Sequence, residues 1–203
     1  MRNKSGFTLA EALIVVVIIG VIAAITIPGV IDDYQRGANA TLVRKTIAGF
    51  RNAVDMLISD EGKGHFSTTS LMVDNENGID RFMRAYARAT TSNASMGESY
   101  KYLDGSTYNY SCSEPYRLLG GVMSCAQKVN DSIKIDIDIN GKTKPNIVGR
   151  DLFTFYINSE GKIANDETIS DNDDYKEVCT SNNSSAPSAC VGYLENNDWI
   201  MDY

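Results

Sequence analysis

Asp136, Asp138 and Asn140 stand at every second position and are followed by Gly141, which spells the D-x-[DN]-x-[DN]-G opening of a calcium-binding loop. Hard divalent cations take several carboxylate and carbonyl oxygens, at about 2.3 to 2.6 Å for Ca2+, so acids at this spacing could supply a first set of ligands. Ile147 stands where such a loop places its closing acid, and Asp151 could take that role only if the chain folds back. A strand accounts for the same residues. Ile133, Ile135, Ile137 and Ile139 alternate with Lys134, Asp136, Asp138 and Asn140, the strongest period-two signal in the chain, and Asn140-Gly141 then forms the turn. The two readings are compatible, because alternate strand positions share a face and could meet Asp151 on a returning strand. Ca2+ is the one cofactor the sequence suggests.

Four cysteines, Cys112, Cys125, Cys179 and Cys190, carry the second kind of chemistry. Outside the cytoplasm two disulfides are the default, and three connectivities are open. Local pairing, Cys112 with Cys125 and Cys179 with Cys190, is preferred here because each pair brackets a segment rich in Gly, Ser, Asn or Pro. A metal site is the weaker reading, since there is no C-x-x-C and the single histidine, His65, is remote in sequence. One histidine, no G-x-S-x-G and no phosphate-cradling glycine loop leave no arrangement for hydrolase or nucleotide chemistry, and the chain is expected not to be an enzyme.

The third kind of chemistry belongs to Glu11. It opens an apolar run, residues 12–31, that contains no charge and follows a leader bearing Arg2 and Lys4. Twenty helical residues rise about 30 Å, the thickness of a bilayer's hydrocarbon core. A carboxylate near one end of such a helix is disfavoured by roughly 2.5 to 3.5 kcal/mol, so it calls for a partner. Positive charge stays inside, which puts Arg2 and Lys4 in the cytoplasm and the remainder, cysteines included, beyond the membrane.

Gly6-Phe7-Thr8-Leu9-Ala10-Glu11 after a short basic leader, then a Val/Ile-rich run with Gly20 that ends in Thr26-Ile27-Pro28, resembles the N-terminus of the type IV pilin and type II secretion pseudopilin superfamily. The resemblance covers Lys4 to about Ile31; beyond residue 59 it extends to the general plan only. It implies cleavage by a prepilin peptidase between Gly6 and Phe7, N-methylation of Phe7, and a pairing of Glu11 with the amino terminus of a neighbouring subunit. It also implies a helix loosened at Pro28, and as partners identical or related subunits, the peptidase, an inner-membrane assembly platform and the membrane. The subunit is then expected to be a single-pass membrane protein before assembly and part of a periplasmic or extracellular filament after it. A tip-located adhesin and a membrane-anchored binding protein that never polymerises are the alternatives. An ordinary secretory signal fits less well, because the apolar run continues past any cut near Ala24 and Glu11 lies within the apolar segment that begins at Phe7.

These residues need elements to position them. From residue 31 the continuous apolarity becomes a stripe, Ile31, Tyr34, Ala38, Val43, Ile47, Phe50, Val54 and Leu57, one face of an amphipathic helix. The spacing predicts one helix over residues 7–59, half membrane anchor and half domain spine, stopped by Asp60-Glu61-Gly62. The domains expected are a leader (1–6), an assembly helix (7–31), its amphipathic continuation (32–59) and a globular domain (60–203). Within the last, residues 66–78 read as a polar, solvent-facing connection and residues 79–89 as a short helix. Tyr100, Tyr102, Tyr108 and Tyr110 around Asp104-Gly105 read as a hairpin. Strands follow over residues 133–139, 152–157 and 162–164, with one face of the isoleucine strand on the long helix and the other in solvent. Residues 165–190 read as a surface loop, and Trp199 docks the tail. The fold class is α+β, a long N-terminal helix packed against a small antiparallel sheet.

Charge narrows the partners. The formal net charge is −7, and loss of Arg2 and Lys4 with the leader leaves 17 basic against 26 acidic residues, or −9. An acidic chain gives no electrostatic support for nucleic-acid binding, and Arg81, Arg84 and Arg88 read as a solvated helix face.

Overall fold

The structure, a computed structural model, describes residue 6 and residues 8–73, 77–91, 94–97, 99–166, 169 and 174–203. Its contacts divide the chain into two units, Met1–Ala38 and Asn39–Tyr203. Helix α1 (Leu9–Asp60) contributes its first part to one and its last to the other.

In the N-terminal unit the apolar side chains are uncovered: Leu9, Ile25 and Val30 are 82, 75 and 68% exposed. Ile31 and Tyr34, read as the beginning of the packed stripe, are also exposed, and burial begins only at Ala40. Pro28 lies inside α1, where its missing N–H leaves the Ala24 carbonyl without its helical donor.

In the globular unit α1 buries Ala40, Val43, Ile47, Phe50, Ala53, Val54 and Leu57, three or four residues apart apart from the adjacent Ala53 and Val54. The helix ends as its glycine stop requires, with Gly62 at φ +60°. Beneath it runs an antiparallel meander of five strands, β3 (Pro115–Arg117), β4 (Met123–Val129), β5 (Ser132–Asp138), β6 (Leu152–Ile157) and β7 (Ile163–Ala164), in that spatial order. Ile133, Ile135 and Ile137 of β5 and Phe153, Phe155 and Ile157 of β6 share one core with the α1 stripe. Phe50 meets Phe155 edge to face at 5.3 Å between ring centroids. Each such buried side chain stabilises by about 1.5 to 3 kcal/mol. The tyrosine hairpin is β1 (Ser99–Lys101) against β2 (Thr107–Asn109), with Tyr100 opposite Tyr108.

Three expectations fail. Residues 66–73 do not face solvent: they form a 3-10 turn (Phe66–Thr68) and helix α2 (Ser70–Val73), and Phe66 and Leu71 are each 1% exposed. Isolated hydrophobes in polar sequence plug the core, a long-range outcome without local periodicity. The second face of β5 is not in solvent either, because Tyr100, Tyr110 and the Cys112–Cys125 bridge cover it and bury Asp136 and Asp138. Within residues 165–190, read as a surface loop, residues 167, 168 and 170–173 lie outside the described residues, and the rest includes helix α4 (Tyr175–Thr180) and the start of α5 (Ala186–Asn196). Asp174 caps α4 by accepting from the N–H groups of Lys176 and Glu177. Pro187 opens α5, whose small residues Ala186, Ser188 and Ala189 are buried. The helix expected over residues 79–89 is α3 (Gly78–Arg81) followed by a π-helical turn, Phe82–Tyr86.

Candidate functional site

At the N-terminus Gly6 is exposed, with open space around its Cα, and Phe7 lies outside the described residues. Thr8 is the residue before α1, and Glu11 is its third helical residue. The Thr8 N–H and hydroxyl both donate to Glu11 Oε2 at 2.8 Å, and the Glu11 N–H points back at Thr8 Oγ1 at 3.3 Å. This reciprocal capping box satisfies helix-end donors that would otherwise be orphaned. The residues Thr8-x-x-Glu11 carry its signature, which reading Glu11 for intermolecular pairing alone overlooks. The carboxylate therefore has an intramolecular role already. Its charge also suits the positive end of the helix dipole.

The acidic residues of β5 sit beneath the tyrosine hairpin. Asp136 accepts from the Thr154 hydroxyl at 2.6 Å and the Tyr110 hydroxyl at 3.3 Å and pairs with Lys134 Nζ at 3.3 Å. Asp138 accepts from the Tyr100 hydroxyl at 2.5 Å and the N–H groups of Gly141 at 2.8 Å, Asn140 at 3.1 Å and Gly97 at 3.4 Å. Asp151 accepts from the Ile147 N–H at 2.9 Å and from Asn140 Nδ2 at 3.1 Å. The chain thus folds back: the Ile139 N–H donates to the Asp151 carbonyl at 3.0 Å, which carries Asp151 to Asn140.

Burial raises the pKa of Asp136 and Asp138 against the opposing effect of their donors. Asp151 is pushed up to about 6, chiefly by burial, with the nearby Asp138 adding to it and the Ile147 N–H opposing. Burial likewise raises the Tyr100 and Tyr110 hydroxyls, reinforced by the neighbouring carboxylates, so both remain donors. Asn140 Oδ1 is buried and accepts no hydrogen bond among the described residues. Asp138, Asn140 and Asp151 thus come together, while Asp136 keeps its own partners. Among the described residues no three His, Cys, Asp or Glu side chains converge to hold a metal ion. The Tyr100, Tyr110 and Thr154 partners arise from long-range packing and leave no signal in the sequence around the acids.

The cysteines form two bridges, Cys112–Cys125 with Cα atoms 6.0 Å apart and Cys179–Cys190 at 4.7 Å. The first ties the segment after β2 to β4, and the second joins α4 to α5.

Residues 1–27 match the family described as the prokaryotic N-terminal methylation motif. The chain is similar to the type II secretion system core protein G of Aeromonas hydrophila, at 32% identity over 79 residues, 39% of this chain and 49% of that protein. It is also similar to the protein of the same name from Vibrio cholerae, at 36% identity over 56 residues, 28% and 38% of the two chains. The matched regions thus span about half or less of these relatives' length. No solved structure matches the chain at a significant level. The motif match and the two relatives are in keeping with the resemblance of the N-terminal segment to the type IV pilin and pseudopilin superfamily.

Proposed function

We propose that the chain is a structural filament subunit, a pseudopilin or pilin, cut after Gly6, methylated on Phe7 and polymerised through its helices. The observation that carries this reading is the matched N-terminal segment, a capped helix start followed by exposed apolar side chains over the length of a bilayer. Proteins of these families are structural subunits, not enzymes. Similarity to proteins named for type II secretion favours a secretion pseudopilus over a surface pilus. The partners are then copies of this chain or related subunits, the prepilin peptidase and an inner-membrane platform. Before assembly α1 anchors the subunit with its globular unit outside the cytoplasm, and Glu11 meets the new amino terminus of a neighbour, where low dielectric strengthens the attraction. Mass spectrometry of the mature N-terminus tests the processing: methylated Phe7 is expected. An intact Met1, or a terminus near Ala24, overturns it.

We also propose that the globular unit takes up Ca2+ at Asp138, Asn140 and Asp151. The observation that favours it is the buried, unpaired Asn140 Oδ1 beside two carboxylates raised by burial, an all-oxygen set of the kind Ca2+ prefers. Bound cation would stabilise the ionised form of these carboxylates, which burial disfavours. Thermal unfolding with millimolar calcium and with chelator decides it, since a ligand of the folded state raises the midpoint and an adventitious one does not.

A further inference from the structure

A groove of about 670 Å³ runs along α1 in the globular unit, and it takes no part in the sites described above. Its helical wall presents Gly49 and Phe50, and Tyr86, Leu119 and Val122 stand opposite. Three features distinguish it from an ordinary surface dent. A Cβ on Gly49 would meet nothing within 4 Å, so the exposed helix wall has room there for a larger side chain. The opposite wall is built from irregular backbone: the π-helical turn ending at Tyr86, Arg88 at φ +55° and the Gly120-Gly121 pair at φ +98° and +89°. Such backbone is held only where the surroundings over-determine it. Finally, Lys45 and Arg88 line the groove with no ion-pair partner among the described residues and outnumber the one acid of its lining, Asp55.

The chain itself carries a complementary feature. Tyr34 is 78% exposed just beyond the apolar run, and Asp33 beside it has a side chain 80% exposed, held to Arg36 only at 3.5 Å. An aromatic ring fits an apolar groove of this size, and the acid next to it matches the two unpaired cations. The two surfaces differ, so contact between them is heterologous. A heterologous contact that does not close on itself generates an open filament.

We propose that the groove receives Tyr34 of a second copy of the chain, with that copy's Asp33 facing Lys45 and Arg88. This rests on the filament reading above and adds to it the surface that receives the neighbour. In the full-length chain, expressed with its peptidase and assembly machinery, Gly49→Leu fills the groove without burying a charge. Cleavage stays normal and sheared filaments fall at least tenfold; Tyr34→Ala gives the same loss, and the double variant is no worse than either single one.

Since all four native cysteines are bridged, a direct measurement is available. Subunits carrying Asp33→Cys and subunits carrying Lys45→Cys, which leave Tyr34 and Gly49 in place, co-expressed and oxidised in filaments, should give a disulfide-linked dimer that neither variant gives alone. Normal filament yield from Gly49→Leu, or filaments without the mixed dimer, overturns the groove contact while leaving polymerisation intact. A wild-type chain that is processed yet forms no filament overturns the filament reading, and this proposal with it.

Discussion

Single carboxylates carry the two functional readings, and each is separable by a conservative change. Glu11 caps α1 through Thr8, and in the proposed filament it also pairs with the amino terminus of a neighbour. Glutamine keeps the capping hydrogen bond and removes the charge, whereas alanine removes both. Glu11→Gln is therefore expected to be cut normally and to give as few sheared filaments as Glu11→Ala; wild-type yield from the glutamine variant would assign Glu11 to the cap alone. Asp151 bears on pH. Its folded-state pKa of about 6 lies above the ordinary 3.8, so protonation favours the fold. The stability contributed by the protonated group is complete below about pH 4 and is lost as pH rises through 6. Denaturant unfolding of the globular unit in chelator should show a gain on the order of 1 to 3 kcal/mol from this group between pH 7 and pH 4, superposed on other titrations. Asp151→Asn should flatten that part of the profile.

At the scale of elements, the sheet is reached by different routes from its two sides. The α1 stripe and the isoleucines of β5 obey simple periods, and the structure packs them on one another. The hairpin, the loop before β6 and the helices α4 and α5 are fitted by close contacts instead. Gly149 shows how tight that fit is, for it has φ +80° and a Cβ there would lie 2.5 Å from Cys190 Sγ in the bridge between α4 and α5. Neither the backbone nor the bridged sulfur can yield cheaply. Gly149→Ala should destabilise the globular unit by about 2 kcal/mol or more, measured by chemical denaturation. An unchanged midpoint would mean that α4 and α5 dock more loosely than the contact implies.

For the whole molecule, the proposed processing acts on the N-terminal segment and leaves the globular unit, Asn39–Tyr203, unchanged. Replacing Gly6 by leucine should leave the leader attached, visible as a slower band on an immunoblot, and abolish filaments while the globular unit stays folded. The sequence by itself determined the apolar span, the helical stripe from residue 43 and the strands of residues 133–139 and 152–157. Each is written in residues close together in the chain, as a charge gap, a period of 3.6 or a period of two. Only the tertiary structure decided that Asp136 and Asp138 are buried, that Asp151 returns to Asn140, that residues 66–73 plug the core, and that residues 175–196 are helices. Those outcomes depend on which distant surfaces meet, and on whether a polar residue finds a partner when they do. Local spacing specifies neither. The same reason explains the groove beside Gly49: its walls come from residues 42–56, 86–88 and 118–122, which only the fold brings side by side.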